Sequence, residues 1–323
     1  MTTTRRRFAT ALAAALGTPA LPRPASAQSA RPVTIVVAFP AGGDTDAMAR
    51  FFAERLAPRL GRPVVVENRG GASGTIGSAH VARAQPDGAT LLFAPNTVAI
   101  APHVLRRGGG YDPVADFTPL VMTGTSPLLL VSTPASGIRS LADVVAQARA
   151  GRLRDYGSPG SGSPMNILAE MFNRAAGIRL AEVAYRGTAP AITDLLAGVI
   201  QVAYTTPGAV TEQLRAKALV PIAVSERDRS PILPDVPSFV EAGFEVELGA
   251  WWGLFGPRGL PAETVQAVNT QMNAVLALPD IVERLRVMGV VPGGGAPERL
   301  AQINQADHER FGRIVRELGI QTD

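Results

Sequence analysis

The sequence predicts an α/β fold of two lobes, with parallel-rich sheets and a ligand cleft between them. Three observations lead there. Strand and helix signals alternate along the chain. The strands are continuous rather than alternating apolar runs, the pattern of parallel sheets covered on both faces. The alternation also restarts after an extended bridging stretch, and 323 residues are enough for two domains.

The first unit opens with VTIVVAF (33–39), a strand that ends at Pro40. AMARFFAERLAPRL reads as a helix, with Met48, Phe52, Leu56 and Leu60 four apart on one face. PVVVEN is a strand, SGTIGSAHVARA a helix, Pro86-Asp87-Gly88 a turn and ATLLFA a strand. DFTPLVMTGTSPLLLVST bridges to the second unit. There SLADVVAQARAG is a helix with Ser140 and Asp143 at capping-box spacing. RLRDYGS leads into a glycine-serine loop, and PMNILAEMFNRAAG is a helix ending at Gly177. AEVAYRG, TAPAITDLLAG, QVAYTT, GAVTEQLRAKA and LVPIAVS continue strand, helix, strand, helix, strand. A proline-rich passage and the strand-like EVELGAWWGLFG follow, then a mostly helical C-terminal region. The crossings between lobes are expected near 120–130 and 246–256. Residues 28–128 plus 250–323 then form lobe 1, and 129–249 an inserted lobe 2.

Residues 1–27 read as an address label. MTTTRRRF is basic, ATALAAAL is a short apolar stretch, and Ala25-Ser26-Ala27 is an A-x-A cleavage site. The segment therefore predicts export, with cleavage near Ala27. Thr4-Arg5-Arg6-Arg7-Phe8 resembles a twin-arginine signal and also suits the general secretory route. Four of the 31 basic residues lie in this segment, leaving 27 against 27 acidic ones. The balanced remainder gives no electrostatic case for nucleic acid.

Residue counts exclude further chemistry. There are no cysteines, so disulfides are unavailable to the exported chain. Lys217, read as an exposed helix residue, is the sole lysine, and no glycine-rich loop carries the lysine of a Walker or kinase site. His80, His103 and His308 lie far apart without ligand-like spacing. No catalytic residue, metal or cofactor is predicted.

Two loops attract attention. Pro40-Ala41-Gly42-Gly43 leaves a strand end and enters a helix, which is where ligands sit in open parallel sheets. Glycines allow close backbone approach, and the first helical turn presents unpaired N–H donors suited to an anion. YGSPGSGSPMNILAEMF repeats the device, with Ser163-Pro164 as a helix start and Ser158 and Ser161 adding hydroxyls. Asp46 suits helix capping, whereas Asp44 is free to meet a ligand ammonium group or water. GGASGTIGSA (70–79) is a loop into a helix whose glycines edge the cleft, and Gly160-Ser161-Gly162 lacks nucleophile-elbow spacing. Trp251 and Trp252 point to opposite faces of a crossing strand. Arg186 in YRGTAP reads first as a solvated loop arginine and second as an anion contact.

FPAGGDTDAMAR, VVVENRGGASGTIG, PDGATLLFAP, YDPVADFTPL, YGSPGSGS, VAYRGTAPAITDLLAG and RSPILPDVPSFVEAG occur in this order. In this the chain resembles the Bug-type solute receptors, periplasmic binding proteins of tripartite tricarboxylate transporter systems, over essentially its whole length after residue 27, and the resemblance implies a periplasmic location. The resemblance implies a flytrap fold that closes on a small carboxylate, held largely by backbone amides and water. It places Phe39, Ala41, Gly42, Gly43, Thr45 and Asp46 on the first ligand loop, and Ser158, Ser161, Gly162 and Ser163 on the second. Gly187 and Thr188 fall on the next loop, and Asn96 and Thr97 after the strand ATLLFAP are added. Three departures surround the expected cleft. Asp44 replaces a small residue or proline, Asn166 replaces a common histidine, and Tyr204-Thr205-Thr206 replaces a segment that often carries aspartate. Asn166 and Thr205 are kept as ligand-facing candidates. The implied function is non-enzymatic capture of a small organic acid by a monomer for a tripartite-type membrane permease. The rivals are a receptor for a membrane sensor and a secreted serine hydrolase.

Overall fold

The computed structural model describes residues 31–320 except Arg107 and Arg186, so the export segment and the Arg186 contact lie outside the described residues. The chain order is β1 (Val33–Val37), α1 (Asp44–Leu60), β2 (Val64–Asn68), α2 (Thr75–Ala82), β3 (Thr90–Pro95), α3 (Thr97–Val104) and β4 (Phe117–Pro127). Then come β5 (Leu129–Ser132), α4 (Leu141–Arg149), β6 (Asp155–Ser158), α5 (Pro164–Ala176), β7 (Ala181–Ala184), α6 (Thr188–Leu196), β8 (Val202–Thr205), α7 (Pro207–Arg215) and β9 (Val220–Val224). The chain returns through β10 (Gly249–Pro257), α8 (Ala262–Leu276), α9 (Pro279–Val287), β11 (Val291–Pro292) and α10 (Pro297–Leu318). Among the described residues, no helix is long and apolar enough to cross a membrane. Lys217 lies just beyond α7, exposed and at φ +55°, rather than within the helix.

Two sheets form, in the orders β11-β4-β10-β3-β1-β2 and β7-β6-β8-β5-β9. They are mixed rather than wholly parallel. In the first, β1 runs parallel to β2 and β3, while β10 is antiparallel to both β3 and β4. In the second, β6 runs parallel to β7 and β8, while β5 is antiparallel to both β8 and β9. The reason lies in the crossings. The strands β1, β3, β6 and β8 run toward the gap between the sheets and hand their C-terminal ends to helices there. A strand that enters a lobe through the junction must start at that gap and run away from it. β5 enters lobe 2 this way, and β10 enters lobe 1.

Each sheet is covered on both faces, as its continuous apolar strands require. On one face of the first sheet, Met48, Phe52 and Leu56 of α1 pack on Ile35 and Phe93, with the Phe52 and Phe93 rings edge-on at 5.8 Å. On the other, Val36 and Leu92 meet Trp251, Phe255 and Leu300 of α10. α2 comes so close to β1 that a Cβ on Gly77 would stand 2.8 Å from the Ala38 Cα. In lobe 2, Phe172 meets Phe239 and Phe244 edge-on at 5.2 and 5.0 Å.

The junction is fastened by one side chain. Ser225 follows β9 and is fully buried. Its N–H donates to Leu128 O at 2.9 Å, and its Oγ accepts from Leu128 N–H at 2.8 Å. Its hydroxyl donates to Leu248 O, while Leu248 N–H donates to Ser225 O at 2.9 Å. Both crossing segments are thus tied to the same residue. Beyond them β4 and β10 continue as a long antiparallel pair, from Gly249↔Pro127 to Pro257↔Phe117.

α10 is held to lobe 1 by polar contacts as well as packing. Trp251 Nε1–H donates to Asp307 Oδ2 at 2.7 Å. His103 of α3 stacks on His308 of α10 at 4.2 Å between ring centres, with His103 Nε2 2.9 Å from His308 Nδ1 and 2.8 Å from His308 O. The fold thus brings together two histidines that sequence spacing left apart. Burial, and then the neighbouring His308, push the His103 imidazole below its usual value of 6.5.

Two stability predictions follow from these contacts. Ser225→Ala removes the acceptor of the Leu128 N–H and the donor to Leu248 O in a dry site, and should cost about 1–3 kcal/mol in denaturant unfolding. For His103 the unfolded chain takes up the proton first as pH falls. Stability should therefore decline as pH drops through 6.5 toward the lowered folded value, and His103→Gln should flatten that decline in unfolding titrations.

Candidate functional site

Five helices begin at one cleft of about 530 Å³ between the two sheets. Their N-cap residues are Gly43 (α1), Asn96 (α3), Ser163 (α5), Gly187 (α6) and Thr206 (α7), and all five line the cleft. Two come from lobe 1 and three from lobe 2. Only Ser163 caps its helix with its own side chain, accepting from Asn166 N–H at 3.2 Å. At the other four starts no side chain caps the first turn. First-turn N–H groups lack intrahelical partners, and the helix dipole adds partial positive charge there. The constellation suits a small anion.

The lobe 1 loop is braced by Asp46. Its Oδ2 accepts from Gly42 N–H at 2.9 Å and Arg50 Nε–H at 3.1 Å, and its Oδ1 accepts from Asn68 Nδ2–H at 2.9 Å. Asn68 also donates to Phe39 O at 3.2 Å. Burial alone would raise the Asp46 carboxyl, but the hydrogen bonds from Arg50, Gly42 and Asn68 hold it below the usual range. Beside it, Thr45 Oγ1 accepts from Trp252 Nε1–H at 3.1 Å. The Thr45 hydroxyl hydrogen is thereby left for another acceptor. Asp44 also lines the cleft. Its side chain reaches solvent, yet the protein crowded around it pushes the carboxyl up.

The lobe 2 loop is braced by Glu182 and Asn166. Ser158 and Ser161 both donate to the Glu182 carboxylate, Ser158 at 2.5 Å to Oε1. Asn166 Oδ1 accepts from Gly162 N–H at 2.9 Å, while its Nδ2–H donates to Tyr156 OH at 2.9 Å. Gly162 stands at φ +75°, and a Cβ there would collide with Val104 Cγ1 of lobe 1. On the other side of the junction, a Cβ on Gly208 would collide with Met288 O. The lobes abut at both places.

The structure separates the sequence candidates into two groups. Phe39, Ala41, Gly43, Thr45, Asn96, Thr97, Ser161, Gly162, Ser163, Gly187 and Thr188 line the cleft. Gly42, Asp46, Ser158, Asn166 and Thr205 do not. Asp46, Ser158 and Asn166 spend their polar groups inside the loops, Gly42 donates to Asp46, and Thr205 is fully buried in β8. Asp46, Ser158 and Asn166 thus brace the loops from behind the lining. Thr206, one residue on, takes the cleft position. Pro40, Ser73, Leu128, Met165, Ala250 and Trp252 also line the cleft without having been singled out as contacts. Leu128, Ala250 and Trp252 come from the crossing segments and carry no loop signal. Trp252 faces the cleft and Trp251 faces α10, in keeping with their alternation.

Among the described residues the cleft lining contains no histidine, lysine or arginine, and no group of three metal-ligating side chains occurs. A larger depression on lobe 2, lined by Arg139, Arg149 and Phe244, receives only the start of α4, which Ser140 already caps.

Comparison with known proteins finds a family that the chain matches. The description "Tripartite tricarboxylate transporter family receptor" matches residues 48–320. BugT of Bordetella pertussis is 34% identical over 304 residues, covering 93% of either chain. A solved R. palustris protein with adipate is 33% identical, with a TM-score of 0.82 over 91% of this chain and 99% of that one. The periplasmic binding protein BugD is 31% identical, with a TM-score of 0.79 over 91% of this chain and 99% of that one.

The contact at Gly162 yields a test. Gly162→Ala should force the loop away from Val104 and increase the radius of gyration in small-angle scattering. Val104→Ala in the same chain should reverse most of that increase.

Proposed function

This chain belongs to the tripartite tricarboxylate transporter family of receptors, and on that premise we propose that it captures a small organic acid between its lobes for a membrane permease. Membership makes it a solute-binding receptor of a transport system, with a two-lobed periplasmic binding-protein fold. The proposal adds a ligand class, a mode of capture and export by cleavage near Ala27. One observation carries the ligand class: five helix N-caps line a single cleft whose described lining has no basic side chain. A carboxylate supplies the acceptors that such a set of donors lacks. The adipate held by the R. palustris relative supports the same class.

Capture then proceeds in two steps. One lobe binds the acid through the N–H groups of its helix starts, with the Thr45 hydroxyl as a further donor. The second lobe swings about the Ser225 junction and adds the starts of α5, α6 and α7. Water leaves as the lobes meet, and the hydrogen bonds strengthen in the drier site. The ligand favours the closed form only by the contacts that this form adds. No covalent step is involved. Ser158 and Ser161 give their hydrogens to a glutamate rather than to a histidine base, which argues against a hydrolase.

A thermal-shift screen of mono-, di- and tricarboxylates on the chain without its export segment tests the ligand class, because a native-state ligand raises the melting point. Gly43→Val then tests the mode of capture. Gly43 has an ordinary φ of −84°, and an added Cβ would meet only Pro40 O, at 3.9 Å. The variant should therefore fold normally. Its calorimetric affinity for the acid found in the screen should drop at least tenfold, or about 1.4 kcal/mol. Unchanged affinity would refute capture by this helix start.

A further inference from the structure

The cleft wall offers hydrogen-bond acceptors as well as donors. Asp44 is the clearest: among the described residues, no hydrogen bond or ion pair engages its carboxylate, whereas Asp46 in the same helical turn is fully occupied. Asn96 is the second. It is completely buried, lines the cleft, and its Oδ1 has no hydrogen-bond partner. Its amide orientation is settled by Nδ2–H donating to Gly249 O at 2.9 Å, since the flipped amide would set two oxygens against each other. Ser161 is the third. It lines the cleft, and because its hydroxyl hydrogen goes to Glu182, its oxygen keeps lone pairs only.

Asp44 and Asn96 are each the chain neighbour of a residue that meets Trp252. Trp252 Nε1–H bonds Thr45, the neighbour of Asp44, and Trp252 is the strand partner of Pro95, the neighbour of Asn96. A carboxylate has nothing to donate to this corner and is repelled by Asp44. An ammonium group is the reverse: it carries three N–H donors, no acceptor and a positive charge. A polar acceptor buried without a donor is costly, so a ligand that supplies donors gains affinity over one that cannot.

We infer that the ligand carries an ammonium group beside its carboxylate, and that Asp44, with the Asn96 carbonyl, is the specificity-determining seat of that ammonium. The inference rests on the carboxylate reading of the cleft and narrows it to amino acids and their analogues. Main-chain N–H groups at the helix starts hold the acid end, and the side chains of Asp44 and Asn96, at the starts of α1 and α3, hold the amine end. No bond is made or broken.

Calorimetry with matched pairs tests the inference: L-aspartate against succinate, L-glutamate against glutarate, and L-leucine against 4-methylpentanoate, each at pH 6 and 8. In at least one pair the amino member should bind about tenfold tighter or more, at both pH values. Asp44→Asn should abolish that preference by weakening the amino member about tenfold while sparing its partner. Asp44→Ser, also a residue suited to a helix start, serves as a second variant should the first misfold by circular dichroism. Equal binding within every pair, or a preference that survives both variants, overturns the inference and leaves the carboxylate reading standing. A diacid that binds tighter at pH 6 and gains affinity in Asp44→Asn overturns it too, because Asp44 would then be an obstacle to the second acid group. Binding of no acid, with or without the amine, overturns both.

Discussion

The antiparallel pairing of the two crossing segments, with Ser225 knotted between them, is the constraint from which the remaining architecture follows. A chain that passes between lobes twice needs two strands lying side by side at the junction, and these are β4 and β10. Once they are paired, the direction of the strand entering each lobe is set. The parallel strands on either side then deliver their C-terminal ends to the gap, and the helices that follow start there. At Ser225 the junction is hydrogen-bonded backbone joined by a buried hydroxyl.

Around this junction the cleft separates two tasks that are often combined in one side chain. The charged and amide residues of the loops face inward. Asp46, Glu182 and Asn166 tie glycine and serine N–H and O–H groups into fixed turns. Much of what then faces the cleft is small: Ala41, Gly43, Gly160, Gly162, Gly187. A buried carboxylate would be costly if unpaired, but Asp46 is surrounded by donors, which keep it ionised despite its burial. Rigid loops with bare backbone at the surface are the result, and Asp44 stands out as the carboxylate left unused.

Much of this was legible in the residues themselves. VTIVVAF and ATLLFA are unbroken apolar runs and became central strands of the first sheet, and the start of α5 at Ser163-Pro164 has the chemistry expected of it. Periodicity failed where its signal is absent. The first turn of α1 is Asp44-Thr45-Asp46, which has no apolar face to count, so the helix begins three residues before its pattern does. α3 was missed because TVAIAPHV is apolar almost throughout and contains Pro102, so it shows no stripe. Loop composition located the cleft but not which way each polar group turns. Ser158 and Ser161 look alike in sequence, and only their distance from the gap distinguishes support from lining. The paired histidines lie 205 residues apart, beyond the reach of any spacing argument.

Helix starts as donors also bear on how such a protein changes over generations. A main-chain N–H is present whatever side chain the codon specifies, proline excepted, so substitution rarely deletes it. Mutation can freely reshape the wall of the cleft, at positions such as Asp44, Met165 and Thr206, while the amides that face it stay in place. One scaffold can thereby be retuned from one solute to another by a few side-chain changes, without ever passing through an ancestor stripped of its backbone donors.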